Sequence, residues 1–134
     1  MYKTETKVRV RYAETDRMGY VYYGNYATYL EVARVELLRS LGFSYRSLED
    51  KGILLPVSDM NIRFLRPAFY DDQLVIRTTV SEKPGVRIQF EYEIVNESAE
   101  VITKASTTLV FIDKSTGRPC PPPEDVLSAF LRHF

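Results

Sequence analysis

Ten consecutive residues near the start of the chain combine groups that can attack and polarise a carbonyl: Asp16-Arg17-Met18-Gly19-Tyr20-Val21-Tyr22-Tyr23-Gly24-Asn25. The pattern after them predicts a helix that begins within Tyr23 to Tyr26. A helix N-terminus presents unpaired N–H groups and the positive end of the helix dipole. A carbonyl polarised there develops negative charge as water or a carboxylate attacks it, and a preorganised donor is worth about 3 kcal/mol in the transition state. Glycine at position 24 lets a substrate approach the backbone closely. The N–H of Tyr23 or Gly24 is therefore the candidate oxyanion donor, and Asp16 is the candidate catalyst. Asp16 can attack the carbonyl to form a mixed anhydride, or it can draw a proton from water. The sequence leaves both roles open.

Each of these residues has a plainer explanation. An aspartate between a strand and a helix commonly forms a turn or a cap, and Glu14 and Asp16 both suit a solvated loop. The Tyr23 hydroxyl can point to solvent or pack, since the chemistry uses its backbone, and a direct role for the hydroxyl is the less favoured alternative. Asn25 can orient a water, although helix capping suits it better. Glu31 and Glu36 stand three residues before Arg34 and Arg39, so local ion pairs explain both carboxylates. Arg63 and Arg66 are candidates for phosphate contacts, with Arg66 preferred beside Pro67. Cys120 lies among prolines with no histidine near it, the only histidine is His133, and no spacing suggests a metal site.

The elements that position the loop follow from periodicity. Residues 3 to 12 alternate, with Val8, Val10 and Tyr12 on one face, which predicts a half-exposed strand. From Tyr26 the apolar positions Leu30, Ala33, Leu37 and Leu41 recur at spacings of three and four. Tyr29, Val32, Val35 and Leu38 widen that stripe until the helix is apolar over much of its surface, so it should be wrapped by other structure. Gly42 suits its C′ stop. Phe43 to Gly52 is a connector with one short helical turn. Ile53 to Pro67 predicts a second strand, with Met60, Ile62 and Phe64 opposite Asn61, Arg63 and Leu65. Leu74 to Lys83, Val86 to Ile94 and Val101 to Ile112 predict three more, joined by turns at Pro84-Gly85 and Asn96 to Ala99. Asp113 to Pro123 contains four prolines and suits irregular chain. Glu124 to Phe134 suits a short helix docking through Val126, Leu127, Phe130 and Leu131. The whole is an α+β domain: a curved antiparallel five-stranded sheet covering one helix.

Totals narrow the partners. The 134 residues suit one domain, 1–134, with a real core. Lys plus Arg equals Asp plus Glu at 18 each, and no basic tract marks nucleic acid as a partner. A single cysteine fits a reducing cytosol, and no apolar run suits a signal or a membrane span, so a cytoplasmic location is expected.

The order of elements, with Asp16, Gly19, Val21, Tyr22, Tyr23 and Tyr26 at the helix entrance, resembles the hot-dog fold. More narrowly it resembles the 4-hydroxybenzoyl-CoA thioesterase-like acyl-CoA thioesterases. Arg63 to Leu74 matches a second recurring segment of that family. Many members carry His where this chain has Tyr23, and others carry Tyr. The resemblance implies hydrolysis of an acyl-CoA or aryl-CoA thioester with Asp16 as nucleophile or general base. The CoA thiolate leaves readily, so a site without histidine suffices. No cofactor is implied, because CoA is part of the substrate. The resemblance also implies a homodimer or homotetramer with active sites between subunits. Asn25, Val57, Ser58 and Arg66 are then expected at the substrate, with Leu55 to Ser58 beside an acyl tunnel. A dehydratase would need a histidine in the site. A non-catalytic acyl-CoA binder and a thioesterase acting on acyl carrier protein remain the alternatives.

Overall fold

The computed structural model describes residues 1–134. Strand β1 (Tyr2–Arg9) alternates exposed charges with half-buried residues, and Val10 continues the inward set. The expected strand to Tyr12 stops short. The chain tightens into a 3-10 turn at Tyr12–Glu14 and leaves the Tyr12 ring outside. Helix α1 follows at Asn25–Ser40.

Helix α1 buries Tyr26, Tyr29, Leu30, Ala33, Leu37 and Leu38. The apolar band is narrower than expected: Leu41 and Val35 are half-buried and Val32 faces solvent. The exception to apolarity is Arg34, only 6% exposed, whose Nε donates to the Tyr45 hydroxyl at 2.8 Å. The expected Glu31–Arg34 pair is therefore absent, since the guanidinium turns inward while Glu31 stays on the surface. The Glu36–Arg39 pair does form, at 2.7 Å. Gly42, at φ 94°, ends the helix. Its amide donates to the Arg39 carbonyl and that of Phe43 to the Leu38 carbonyl, closing the helix as a Schellman motif.

The connector holds helix α2 (Tyr45–Asp50), where Ser44 and Ser47 exchange side-chain-to-amide hydrogen bonds at 3.0 Å. The long strand expected from Ile53 to Pro67 is divided at Pro56. Its first part, β2 (Ile53–Leu54), joins a small sheet, and β3 (Val57–Phe64) joins the main one. Strands β4 (Gln73–Val80), β5 (Arg87–Val95) and β6 (Val101–Val110) complete a five-stranded antiparallel sheet ordered β1-β4-β5-β6-β3. β7 (Ile112–Asp113) and β8 (Arg118–Pro119) pair with each other, and β7 also pairs with β2. Two residues of the proline-rich stretch thus form a strand where irregular chain was expected, after a turn at Gly117 with φ 70°.

Alternation in β4 and β5 drives Leu74, Ile76, Thr78, Val80, Ile88, Phe90, Tyr92 and Ile94 inward as one face. That face closes over α1 in a single apolar cluster, the hot-dog arrangement. Helix α3 (Glu124–Leu131) docks through Val126, Ala129 and Phe130, with Leu127 half-buried. Leu131, expected at that contact, is exposed. Strand β3 stands apart. It forms one edge of the sheet, is exposed on almost every residue, and carries a bulge between Val57 and Asp59.

Truncating a fully enclosed residue of α1 should cost about 2–5 kcal/mol through lost burial and the cavity left behind. Leu30→Ala is expected in that range by urea denaturation, with Val32→Ala within about 0.5 kcal/mol of wild type. Similar losses for both would mean that α1 is not sheathed on one side.

Candidate active site

The loop before α1 is built on Glu14, a carboxylate only 8% exposed. Its Oε1 accepts from the Arg11 amide and from the Tyr29 hydroxyl, each at 2.8 Å. Its Oε2 accepts from Nε and Nη2 of Arg11 at 3.1 and 2.9 Å. The Glu14 carbonyl accepts from the Tyr22 amide and from Nδ2 of Asn25, both at 2.8 Å. One residue thereby ties the end of β1, the aromatic stretch and the buried side of α1 to each other. Burial pushes the Glu14 carboxyl upward, but the Arg11 amide, the Arg11 guanidinium and the Tyr29 hydroxyl together bring it below its ordinary value. Burial, then the bond to Glu14, pushes the Tyr29 phenol well up, so it stays a protonated donor.

Sequence reasoning treated Glu14 as loop solvation. The spacing Arg11-x-x-Glu14 is the available signal, because opposite charges three residues apart can pair across a tight turn. Asn25 also differs from expectation. It is the first residue of α1 and supplies no cap; it fastens the helix to the loop through Glu14.

Between Thr15 and Val21 the chain makes a small hairpin, bridging Thr15 to Val21 and Tyr20 to Phe69. Gly19, at φ 80°, supplies the left-handed residue that closes it. Asp16 stabilises the turn: its Oδ1 accepts from the amides of Met18 at 2.9 Å and Tyr20 at 3.2 Å. The plainer reading of Asp16, as a turn former, therefore holds for one of its two oxygens. Oδ1 forms the turn, while Oδ2 accepts from no protein group.

Two backbone amides at the helix entrance are left without acceptors. The amides of Asn25 and Tyr26 donate to the carbonyls of Tyr22 and Tyr23, whereas those of Tyr23 and Gly24 donate to no protein acceptor. A Cβ at Gly24 would stand 2.9 Å from Cε2 of Tyr22. Glycine here admits the Tyr22 ring, which in turn packs on Tyr23 with centroids 4.6 Å apart.

A hollow of about 300 Å³ opens beside this entrance. Asp16, Tyr20, Tyr23, Tyr26, Phe64 and Arg66 line it. Tyr26 meets Phe64 edge-to-face at 5.2 Å, and burial raises the Tyr26 phenol, which stays neutral. Arg66 also pairs with Glu100 at 3.1 Å on the surface. The structure thus brings Asp16, Tyr23 and Arg66 together. It leaves Gly24 just outside the wall, and Asn25 is turned toward Glu14. Val57 and Ser58 lie at the far end of β3, seven and six residues from Phe64, with the Ser58 hydroxyl donating to the Thr108 carbonyl. A strand rises about 3.3 Å per residue, so they are some 20 Å away within one chain. A larger hollow on the outer face of the sheet, among Lys3, Glu5, Arg77, Glu93 and Lys104, is a ladder of opposite charges facing water.

Comparison with known proteins gives the family. A sequence model of the thioesterase-like superfamily matches residues 10–130. The YneP protein of Bacillus subtilis is 38% identical over 119 residues, 89% of this chain and 86% of that protein. The acyl-CoA thioesterase YbgC of Haemophilus influenzae is 34% identical over 124 residues, covering 92% of this chain and 90% of the relative. The crystal structure of a DHNA-CoA thioesterase from Staphylococcus aureus matches with a TM-score of 0.94 at 38% identity, covering 99% of this chain and 91% of that one.

Because the folded state holds Glu14 below its ordinary value, the ionised carboxylate stabilises the fold fully above that ordinary value. The contribution fades as pH falls through the lowered one. Glu14→Gln should lower stability at pH 7 by about 1–3 kcal/mol. The gap from wild type should close on acidification to about pH 3, as read by denaturant titration. A gap that is absent at pH 7, or that widens in acid, would remove Glu14 from its central place.

Proposed function

The chain belongs to the thioesterase-like superfamily and is a thioester hydrolase, and we propose that it cleaves acyl-CoA or aryl-CoA thioesters at Asp16. One observation carries the reading: a carboxylate oxygen without a protein partner and two amides without acceptors stand at the same helix entrance, beside an aromatic hollow. The thioester carbonyl lies with its oxygen toward the Tyr23 and Gly24 amides, where the helix dipole favours the developing charge. Asp16 then acts in one of two ways. As nucleophile, its Oδ2 bonds to the carbonyl carbon, the C–S bond breaks to release CoA thiolate, and water hydrolyses the mixed anhydride. As general base, Oδ2 takes a proton from a water that attacks the same carbon, and the thiolate leaves likewise.

The hollow is at the small end of the range for ligand sites, and four of its walls are rings. A flat aryl or a short acyl group suits it better than a long chain. The DHNA-CoA activity named for the Staphylococcus aureus relative supports the same size class.

Strand β3 favours a shared site. Its edge is long, unpaired and exposed on both faces, with Val57, Met60 and Phe64 uncovered, so it is a template for another strand. Antiparallel pairing with a second copy would carry that copy's Val57 and Ser58 to the Phe64 end, beside the hollow. The substrate-binding role expected of them then operates across an interface.

Two measurements test the reading. Release of free thiol from a panel of benzoyl-, naphthoyl-, butyryl- and palmitoyl-CoA should show turnover with the smaller groups. Asp16→Asn should lose about 100-fold or more in kcat. Unchanged turnover in the variant, or no thiol release by wild type, overturns the mechanism. Retained substrate binding by an inactive wild type would point to a binder instead. Solution mass should be that of a dimer or a tetramer, and a fully active monomer would sink the shared site.

A further inference from the structure

Two tyrosine rings on the far side of the Asp16 loop have no part in the core. Tyr12 is 75% exposed and Tyr70 58% exposed, with centroids 5.6 Å apart and planes inclined at 52°. Exposed rings on mobile chain would be unremarked, but these stand on stitched backbone. The Val10 amide donates to the Asp72 carbonyl at 2.9 Å, and the Asp71 amide donates to the Val10 carbonyl at 3.0 Å. The Phe69 amide donates to the Asp72 carboxylate, and Nη1 of Arg9 donates to the Asp71 carbonyl at 2.7 Å. Asp71 holds φ 68° to close this turn, a left-handed conformation that a non-glycine residue adopts at a cost. On the other side, Tyr12 sits in the turn that Arg11 and Glu14 clamp.

The pair borders an open hollow whose wall also includes Arg17, Gly19 and Asp16. Asp16 therefore belongs to two depressions, the aromatic acyl hollow and this one. Arg17 is exposed and forms no ion pair, unlike Arg11 and Arg66. No atom lies within 4 Å of where a Gly19 side chain would begin, so the loop surface between Asp16 and the rings is unobstructed.

A CoA thioester has the matching layout. Its acyl group lies on one side of the reacting carbonyl. On the other a flexible arm ends in an adenine nucleotide bearing phosphates at both ends of its ribose. We propose that the Tyr12–Tyr70 pair and Arg17 form the dock for that nucleotide, with the base stacked on the rings and a phosphate at the guanidinium. Aromatic side chains stack any base face, and a guanidinium offers a planar fork to phosphate. This proposal rests on the CoA-thioesterase reading and adds the residues that hold the end of the substrate remote from the chemistry.

The test compares one acyl group on two carriers, CoA and N-acetylcysteamine, which lacks the nucleotide. Wild type should prefer the CoA thioester in kcat/KM. In Tyr70→Ala and in Arg17→Gln that preference should fall about 10- to 100-fold, through KM and not kcat. Adenosine 3′,5′-bisphosphate should bind wild type by calorimetry and bind both variants at least about tenfold more weakly. An unchanged preference, or equal binding of the bisphosphate by all three proteins, overturns the dock. A change in solution mass in Tyr70→Ala would also overturn it, by making the rings a contact between copies. If wild type hydrolyses neither thioester, the thioesterase reading fails, while the bisphosphate measurement still decides the dock.

Discussion

A single carboxylate, sunk where water hardly reaches it, holds the site together. Glu14 gathers the Arg11 amide, the Arg11 guanidinium and the Tyr29 hydroxyl on its side chain, and the Tyr22 amide and the Asn25 side chain on its carbonyl. A buried anion is tolerable only when it is both paired and hydrogen-bonded, and here the donors come from Arg11, just after β1, and from Tyr29 on α1. The position of the loop is therefore coupled to the position of α1. Tyr29 is anchored in the core, so the free amides at the start of α1 and the Asp16 turn are set by the same packing that stabilises the sheet.

That packing also explains where freedom has been left. The sheathed side of α1 is filled by Leu30, Ala33, Leu37 and the inward rows of β4 and β5, which leaves no internal cleft for a substrate. The aromatic hollow opens instead where the helix begins and the sheet runs out, between Tyr26 and the end of β3. Arg34 shows how far the enclosure goes. A guanidinium with no carboxylate beside it is accepted in the core boundary because the Tyr45 hydroxyl takes its Nε, tying α1 to α2.

Much of this was legible in the sequence where a single period governs the chain. The span of α1 and the hairpin rows of β4 to β6 follow from spacing. The loop at Asp16 and the start of the helix after Gly24 were also legible, because a turn and a helix entrance are local events. What could not be read depended on partners distant in sequence. Glu14 and Tyr29 are 15 residues apart, and nothing in either predicts that they meet. Arg34 had a plausible partner three residues away, and only the approach of Tyr45 from α2 reveals its inward turn. Pro56 divides one apolar run between two sheets because the small sheet must form around β7, a competitor invisible to any window centred on Pro56.

The bulge in β3 sets a rule for how this chain can vary. Val57 opposes Leu109 while Asp59 opposes Thr108, so the strand accommodates one surplus residue before Met60, Ile62 and Phe64, which share one face. Sides alternate along a strand, so gaining or losing one position between the bulge and Phe64 would invert the whole row. Arg63 would then point at Tyr26 and the Phe64 ring would leave the aromatic hollow. Replacement of individual side chains in this stretch is tolerable by comparison, whereas its length is not negotiable.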